Sequence, residues 1–342
     1  MKIVLATHAF FPSIGGLETV ARVLAEEFCR RGHSVKIMAQ TPAPDRTPAE
    51  DEREFGCPVY RRPGIWEMLR LVWWCDIYFQ NNISLRSLWP VILLQRRWVV
   101  SHQTWLTRVD GRVGWQDRLK KFAIRFGSPI AISRAVAAPL PVPATLIGNP
   151  YQDKLFRVLP DVVRDRDIVF LARLVSDKGG DVTLEALAQL KAAGLTPSLT
   201  IVGDGPERQN LEAMAERLGL AAQVTFTGFQ TGETLVRTLN GHRIMVVPSR
   251  LAEPFGVVAL EGIACGCALV GSELGGLADA IGPCGLTFPN GDSSAMAACL
   301  RRLLQDEELC RSLRGHAEQH LLKHSPAQIA TAYLEVFERV LR

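Results

Sequence analysis

At 342 residues the chain is about twice the length of a typical single domain, so two domains are expected. A content of 47% hydrophobic and 22% charged residues is that of a globular protein with a sizeable core, and excludes a disordered or low-complexity chain. The net charge of +4 is unevenly placed: residues 1–155 hold 21 Lys+Arg against 13 Asp+Glu, a balance of +8, and the remainder 18 against 22, a balance of −4. The basic first half is the one suited to an anionic partner, although scattered solvated arginines would give the same count.

Met1–Ala6 stays apolar too briefly for a signal-peptide core, and no apolar run approaches the roughly 18 residues of a membrane helix. A soluble or peripheral protein is expected. The eight cysteines form no C-x-x-C pair and mostly lie in apolar runs, which reads as buried reduced thiols in a cytoplasmic protein, with no metal site.

In chain order, residues 2–7 form a short β-branched run expected of a buried parallel strand. A turn-rich loop with Pro12, Gly15 and Gly16 follows. Residues 18–31 then carry Val20, Val23, Leu24 and Phe28 at helical spacing, Gly32 ends the helix, and 34–39 read as the second strand. Strand, helix, strand makes a βαβ unit and a parallel sheet. Further strands fit near 75–79, 97–101, 129–132 and 144–147.

A second alternating series begins after Asn149-Pro150, with strands at 167–172, 198–202, 223–226, 243–247 and 268–270. Its helices fall at 180–193, 206–218, 231–240 and 256–265. The tail 293–341 reads as helical, broken at Ser325-Pro326, a good helix start. The expected fold class is therefore α/β, two Rossmann-like doubly wound parallel-sheet domains facing across a cleft. The expected domains are 1–155, 156–325, and a C-terminal helix 326–342 packing back toward the first domain.

Three segments carry candidate chemistry. In Ser249–Gly262, Pro254 suits the first turn of a helix, which would leave the backbone N–H groups near Phe255, Gly256 and Val257 free for an anion. Glu253 and Glu261, eight residues apart, could reach opposite ends of an extended ligand; alternatively Glu253 caps the helix and Glu261 is solvated. In Phe170–Gly180, Arg173 offers a planar fork and Lys178 a compact charge, a combination suited to a diphosphate or, more blandly, to surface ion pairs. Gly203-Asp204-Gly205-Pro206 reads as tight turn packing. All three follow successive strands and so share one sheet edge.

Together they resemble glycosyltransferase family 4 of the GT-B fold. The resemblance also takes in Gly15-Gly16-Leu17-Glu18-Thr19, Arg31-Gly32-His33, Ile132-Ser133 and Asn149-Pro150, with Glu253 and Glu261 as the family's E-x7-E element. It implies a retaining glycosyltransferase that moves a hexose from a UDP-sugar, UDP-glucose first and UDP-N-acetylglucosamine second, to a polysaccharide or lipid-linked saccharide. By the same resemblance Arg173 and Lys178 hold the donor diphosphate. Glu253 reaches the donor sugar, assisted by backbone groups of Phe255, Gly256 and Val257. Glu261 binds the ribose, Gly15 and Gly16 approach the phosphates, and His102 lies near the sugar. No metal or other cofactor is expected, since cationic side chains take the leaving-group charge.

Some positions depart from that pattern. Ala278 and Asp279 follow Gly275-Gly276-Leu277 where Pro and Glu are common, and Gln80-Asn81-Asn82 replaces a histidine-containing stretch, which leaves the acceptor least defined. Asp165-Arg166-Asp167 resembles a metal-binding D-x-D but precedes a strand. A nicotinamide dehydrogenase is disfavoured because the first loop lacks G-x-G-x-x-G and no acid ends strand two. A GT-B epimerase, a phosphorylase and a non-catalytic nucleotide-sugar-binding subunit are the remaining alternatives.

All seven tryptophans fall between Trp66 and Trp115, among Arg61, Arg62, Arg70, Arg86, Arg96, Arg97, Arg108 and Arg112. Peripheral association with an anionic membrane surface at its cytoplasmic face is one expectation from this mixture. Burial of most of the tryptophans in the core is the other, with Trp105 and Trp115 left as acceptor contacts. No nucleic-acid partner is expected.

Overall fold

The computed structural model describes the chain apart from Ile14, Pro44, the side chain of Pro48 and residues 107–113, so Arg108 and Arg112 lie outside the described residues. Two compact units are present: Met1–Tyr151 with His324–Arg342, and Gln152–Lys323.

The first unit runs β1 (Lys2–Thr7), α1 (Gly16–Arg30), β2 (Ser34–Ala39), α2 (Pro48–Phe55), β3 (Val59–Arg61), α3 (Ile65–Trp74) and β4 (Ile77–Asn81). It continues through α4 (Leu85–Leu93), β5 (Trp98–His102), α5 (Trp115–Ile124), β6 (Ser128–Ala131), α6 (Arg134–Ala137) and β7 (Thr145–Leu146). Its seven strands are parallel in the order β3-β2-β1-β4-β5-β6-β7. The order reverses direction at β1, the signature of a doubly wound sheet, and in the register Thr7 stands beside Ala39 on one side and Asn81 on the other.

The second unit contains β8 (Arg166–Leu171), α7 (Gly180–Ala192), β9 (Leu199–Val202), α8 (Arg208–Arg217), β10 (Val224–Gly228), α9 (Gly232–Asn240) and β11 (His242–Val247). After these come α10 (Val257–Ala264), β12 (Ala268–Ser272), α11 (Leu277–Ile281), β13 (Gly285–Phe288), α12 (Ser293–Gln305), α13 (Glu307–Gly315) and α14 (Ala317–Lys323). The parallel order is β10-β9-β8-β11-β12-β13. Strands buried on both faces, such as Leu199–Val202, read as continuous apolar runs, and Ile168, Ile201, Ile244 and Val270 join Leu184 and Leu187 of α7 and Leu300 of α12 in one core. Each such side chain contributes roughly 1.5–3 kcal/mol on burial.

The last helix, α15 (Pro326–Leu341), belongs to the first unit. Ser325 caps it, accepting from the Gln328 N–H, with Pro326 in its first turn. Arg31 at the end of α1 donates to Thr331 Oγ1 at 2.8 Å and to the Ala327 carbonyl. Tyr333 Oη meets Ser101 Oγ at 2.7 Å in the interior, and the Phe337 ring lies 5.6 Å from Phe28 and 5.4 Å from Phe79. Thus α1 and α15 cover the sheet face that Phe79 presents. The opposite face, presented by Val4, Tyr78 and Val100, is covered by α3, α4 and α5.

On that second face the tryptophan expectation is overturned. Among the seven only Trp98 is buried; Trp74, Trp89 and Trp105 are half-buried, and Trp66, Trp73 and Trp115 are exposed. The helix α3 is one reason: Leu71 and Val72 fill its inner side, so Trp73 is turned to solvent by helical geometry. Four elements have no counterpart in the sequence reading, α2, β3, α11 and the edge strand β13, all of them short and weakly patterned. The tail breaks twice more than expected, at Asp306, which caps α13, and at His316. All eight cysteines are free thiols, six of them buried.

Because Phe337 is fully buried between α1 and the sheet, Phe337→Ala should destabilise the protein by about 3–5 kcal/mol in denaturant unfolding. A change below about 1 kcal/mol would mean that α15 is not part of the first unit's cooperative core.

Candidate functional site

In a parallel sheet every strand points its C-terminal end the same way, so the loops after β8, β9, β11 and β12 emerge on one edge of the second unit. Arg173 lies two residues past β8, and a 3-10 turn, Ser176–Lys178, follows it. Glu253 lies in the loop after β11, the neighbour of β8. Lys178 Nζ donates to Glu253 Oε1 at 2.5 Å, and Ser249 Oγ donates to the same oxygen at 2.7 Å. The second carboxylate oxygen accepts no hydrogen bond among the described residues. Arg173 is exposed and makes no ion pair among them. The edge therefore offers one uncommitted guanidinium, an ammonium already oriented by a carboxylate, and one free carboxylate oxygen.

Two clamps hold this arrangement. The Arg250 N–H donates to the Asp177 carbonyl at 2.8 Å and its guanidinium pairs with Asp181 at 2.5 Å, fastening the Glu253 loop to the Lys178 turn. On the other side, the Ser249 carbonyl accepts from Ser272 Oγ at 2.7 Å and from Asn290 Nδ2 at 2.8 Å, while Asn290 Oδ1 accepts from the Leu274 N–H at 2.9 Å.

Two glycines are required by close approach. At Gly275 φ is +93°, a Cβ would stand 2.2 Å from the Glu253 carbonyl oxygen, and the next N–H, of Gly276, donates to that oxygen at 2.7 Å. At Gly203 a Cβ would stand 1.9 Å from the Ala172 carbonyl oxygen, so the turn after β9 presses directly on the segment carrying Arg173. The Gly203–Pro206 turn thus packs tightly, as read from sequence, and what it packs against is the base of the site.

The helix expected to take Pro254 into its first turn begins later. Gly256, at φ +97°, is the N-cap of α10, and this left-handed residue separates Pro254 and the buried Phe255 from the helix. Among the described residues no side chain caps α10, which leaves the N–H groups of its first turn, from Val257 on, without a side-chain acceptor. Glu253 is not a helix cap; Lys178 and Ser249 hold it. Nor is Glu261 simply solvated: it lies half-buried in α10, and burial alone pushes its carboxyl from 4.5 up to about 7. Asp167, of the D-x-D-like triplet, sits at the opposite end of β8, where Ser198 donates to it at 2.9 and 3.1 Å and Arg243 approaches to 3.6 Å.

The remaining predicted residues belong to the first unit. Gly15 is the N-cap of α1, with the Glu18 carboxylate folded against it and held by Ser13 Oγ at 2.9 Å, and Gly16 is open on its side-chain face. His102 ends β5 fully buried, and neither ring nitrogen has a hydrogen-bond partner among the described residues. Burial lowers its pKa to about 4, so the imidazole is neutral near pH 7. Oδ1 of Asn81 and of Asn149 and Oε1 of Gln80 are similarly buried and unpaired. Asn81 Nδ2 instead donates to the Leu17 carbonyl at 3.1 Å, tying β4 to the start of α1.

Sequence reasoning missed Ser249, Asn290 and the Arg250–Asp181 pair. Ser249 and Arg250 open the segment already singled out, whereas Asn290 carries no local pattern.

The fold and this edge define a two-sheet protein of the GT-B type with a cation-and-carboxylate site on its second sheet. Residues 152–320 match the family described as glycosyl transferases group 1, and the second unit belongs to that family. Among curated relatives, the alpha-D-kanosaminyltransferase of Streptomyces kanamyceticus is 32% identical over 180 residues, 50% of this chain and 46% of the relative. A glycogen synthase of Mycobacterium tuberculosis is 31% identical over 174 residues, 50% of this chain and 42% of the relative. The chain thus matches less than half the length of these curated relatives. Solved structures align throughout: Anabaena HepE in complex with UDP has a TM-score of 0.81 at 20% identity, covering 99% of this chain and 100% of that one. Sucrose-phosphate synthase from Thermosynechococcus elongatus has a TM-score of 0.79 at 20% identity, covering 99% of both.

The raised Glu261 pKa fixes a sign. The folded chain holds this proton more tightly than the unfolded one, so the stability it contributes is complete below about 4.5 and is lost as pH rises through about 7. Glu261→Gln should therefore be more stable than the parent at pH 8, by on the order of 1–3 kcal/mol, with the difference vanishing at pH 4. Equal stability curves across that range would show that the carboxyl is not desolvated.

Proposed function

We propose that the chain is a retaining glycosyltransferase that moves a hexose from a UDP-sugar, with UDP-glucose the first candidate and UDP-N-acetylglucosamine the second, to a polysaccharide or lipid-linked saccharide. The observation that carries this reading is the Lys178–Glu253 contact with the uncommitted Arg173 beside it on the same sheet edge. Breaking the bond between the anomeric carbon and the diphosphate leaves negative charge on the departing phosphate. Arg173 and Lys178 supply fixed positive charge for it, and the uncapped start of α10 adds a helix N-terminus. The free Glu253 oxygen is suited to accept from a sugar hydroxyl, and Glu261 to accept from a ribose. The charge is met by side chains, so the reading calls for no metal or other cofactor.

A UDP donor is supported by likeness to Anabaena HepE, solved with UDP-glucose as well as with UDP. Gly15, Gly16 and His102 enter the proposal as first-unit contacts to phosphates and sugar. Retention of configuration rests on the family resemblance. A cytoplasmic location, at the inner face of the membrane, completes the reading; no helix among the described residues is long and apolar enough to cross a bilayer.

The test combines melting with UDP-, GDP- and ADP-sugars and transfer of a labelled donor sugar. A UDP-sugar at about a hundred times its Kd should stabilise the protein by about 2.7 kcal/mol. Arg173→Ala should abolish that shift, and Glu253→Gln should cut turnover by about 10²–10³-fold. No shift with any nucleotide sugar would overturn the donor assignment. A shift without transfer or hydrolysis would favour a binding subunit instead.

A further inference from the structure

Surface helices ordinarily turn their apolar stripe inward, and α5 does the reverse. Trp115, Leu119 and Phe122 are 69%, 45% and 58% exposed, and Phe126, just past the helix, is 71% exposed. The spacings of four and three place the first three on one side of the helix, and Phe126 continues the stripe, its ring edge-on to Phe122 at 5.2 Å between centroids. The inward side holds only Asp117, Ala123 and Ile124, and Asp117 is spent accepting from the Gly114 N–H at 2.9 Å.

The same helix is strongly basic. Arg118 and Arg125 are exposed, Lys120 and Lys121 are half-buried, and none of the four makes an ion pair among the described residues. The one acidic residue of the segment, Asp117, is buried. The apolar stripe does not stop at α5. On the same sheet face α3 exposes Trp66 and Trp73, and α4 exposes Ile92 and Leu93.

Outward aromatic and aliphatic side chains flanked by unpaired cations fit the boundary of an anionic bilayer, where rings sit among headgroups and cations meet lipid phosphates. A second copy of the chain fits less well, because a two-fold interface sets a patch against itself and would oppose these cations to one another. We propose that α5, continued by the outer edges of α3 and α4, is the surface by which this chain lies on an anionic membrane. Trp115, Leu119, Phe122 and Phe126 enter the headgroup–acyl boundary, and Arg118 and Arg125 contact the phosphates. The inference rests on the peripheral-association part of the function proposed above and not on sugar transfer.

Flotation with phosphatidylcholine vesicles, with and without phosphatidylglycerol, tests it on the full chain. The parent should float with the anionic vesicles only and be released by high salt. Phe122→Ser with Phe126→Ser should reduce partitioning more than about tenfold, and Arg118→Gln with Arg125→Gln about fivefold per charge removed. Both pairs are exposed, so melting temperatures should hold. Quenching of tryptophan fluorescence by brominated lipid in the unsubstituted protein, weakened in Trp115→Phe, provides a check independent of those variants. A parent that ignores anionic vesicles would overturn membrane association altogether. A parent that floats, with variants that float equally well, would overturn the assignment to α5. A concentration-dependent dimer abolished by the phenylalanine exchanges, without vesicle binding, would replace the bilayer with a second copy. Because none of these measurements reads sugar transfer, their failure leaves the donor site standing.

Discussion

Lys178 and Glu253 are 75 positions apart in sequence, and their 2.5 Å contact exists because β8 and β11 are parallel neighbours. A parallel sheet delivers the loop after each strand to the same edge, so two loops far apart in sequence meet without either being long. The surrounding hydrogen bonds keep that meeting rigid. The Arg250–Asp181 pair closes it on one side, and Asn290 with Ser272 closes it on the other. Since an exposed ion pair contributes at most about 1 kcal/mol, Arg250 acts mainly through geometry, adding its backbone N–H bond to Asp177.

The glycines show how close that geometry comes to its limit. A β-carbon at Gly203 would overlap the Ala172 carbonyl, and one at Gly275 the Glu253 carbonyl. Both contacts are with backbone, which has little freedom to retreat. The turn after β9 and the turn after β12 therefore brace the two loops that carry Arg173 and Glu253. Segments that read as structural and segments that read as chemical form one layer, with the chemical side chains outermost.

Legibility of the sequence followed the strength of its periodicity. Lys2–Thr7, Ser34–Ala39 and five strands of the second unit were plain because a buried parallel strand is a mostly apolar run bounded by turns. The Val59–Arg61 and Gly285–Phe288 strands were not, being three or four residues long at sheet edges. In the site, Arg173, Lys178 and Glu253 could be singled out because each stands near a strand end or a helix start, and Glu261 by its spacing of eight from Glu253. Asn290 could not, since its role comes only from the fold bringing residue 290 beside residues 249 and 274. The tryptophans misled for a definite reason: hydrophobicity alone predicts burial, whereas α3 and α5 each have too narrow an inward side to take all of their aromatic residues. Where α5 spends its inward positions on Asp117, Ala123 and Ile124, composition gives no hint of it.

The two units treat buried polar atoms differently. In the second, the buried Ser249 and Ser272 are bonded to each other and, through Ser249, to the half-buried Glu253 and Asn290. In the first, both nitrogens of His102 and one oxygen each of Gln80, Asn81 and Asn149 are buried without partners among the described residues. An unsatisfied buried polar group costs about 1–3 kcal/mol, and three of these residues lie at the ends of adjacent strands, β4 and β5. Gln80 and Asn81 face opposite sides of the sheet, the first toward Ser84 and Ser87 and the second toward Leu17, so these groups do not line one pocket. With its pKa lowered to about 4, His102 presents one N–H donor and one bare nitrogen acceptor near pH 7. It can then meet a hydroxyl in either direction, and it brings no charge to a phosphate. That chemistry suits an uncharged sugar better than a diphosphate, and agrees with the proposal that Arg173 and Lys178 take the phosphate.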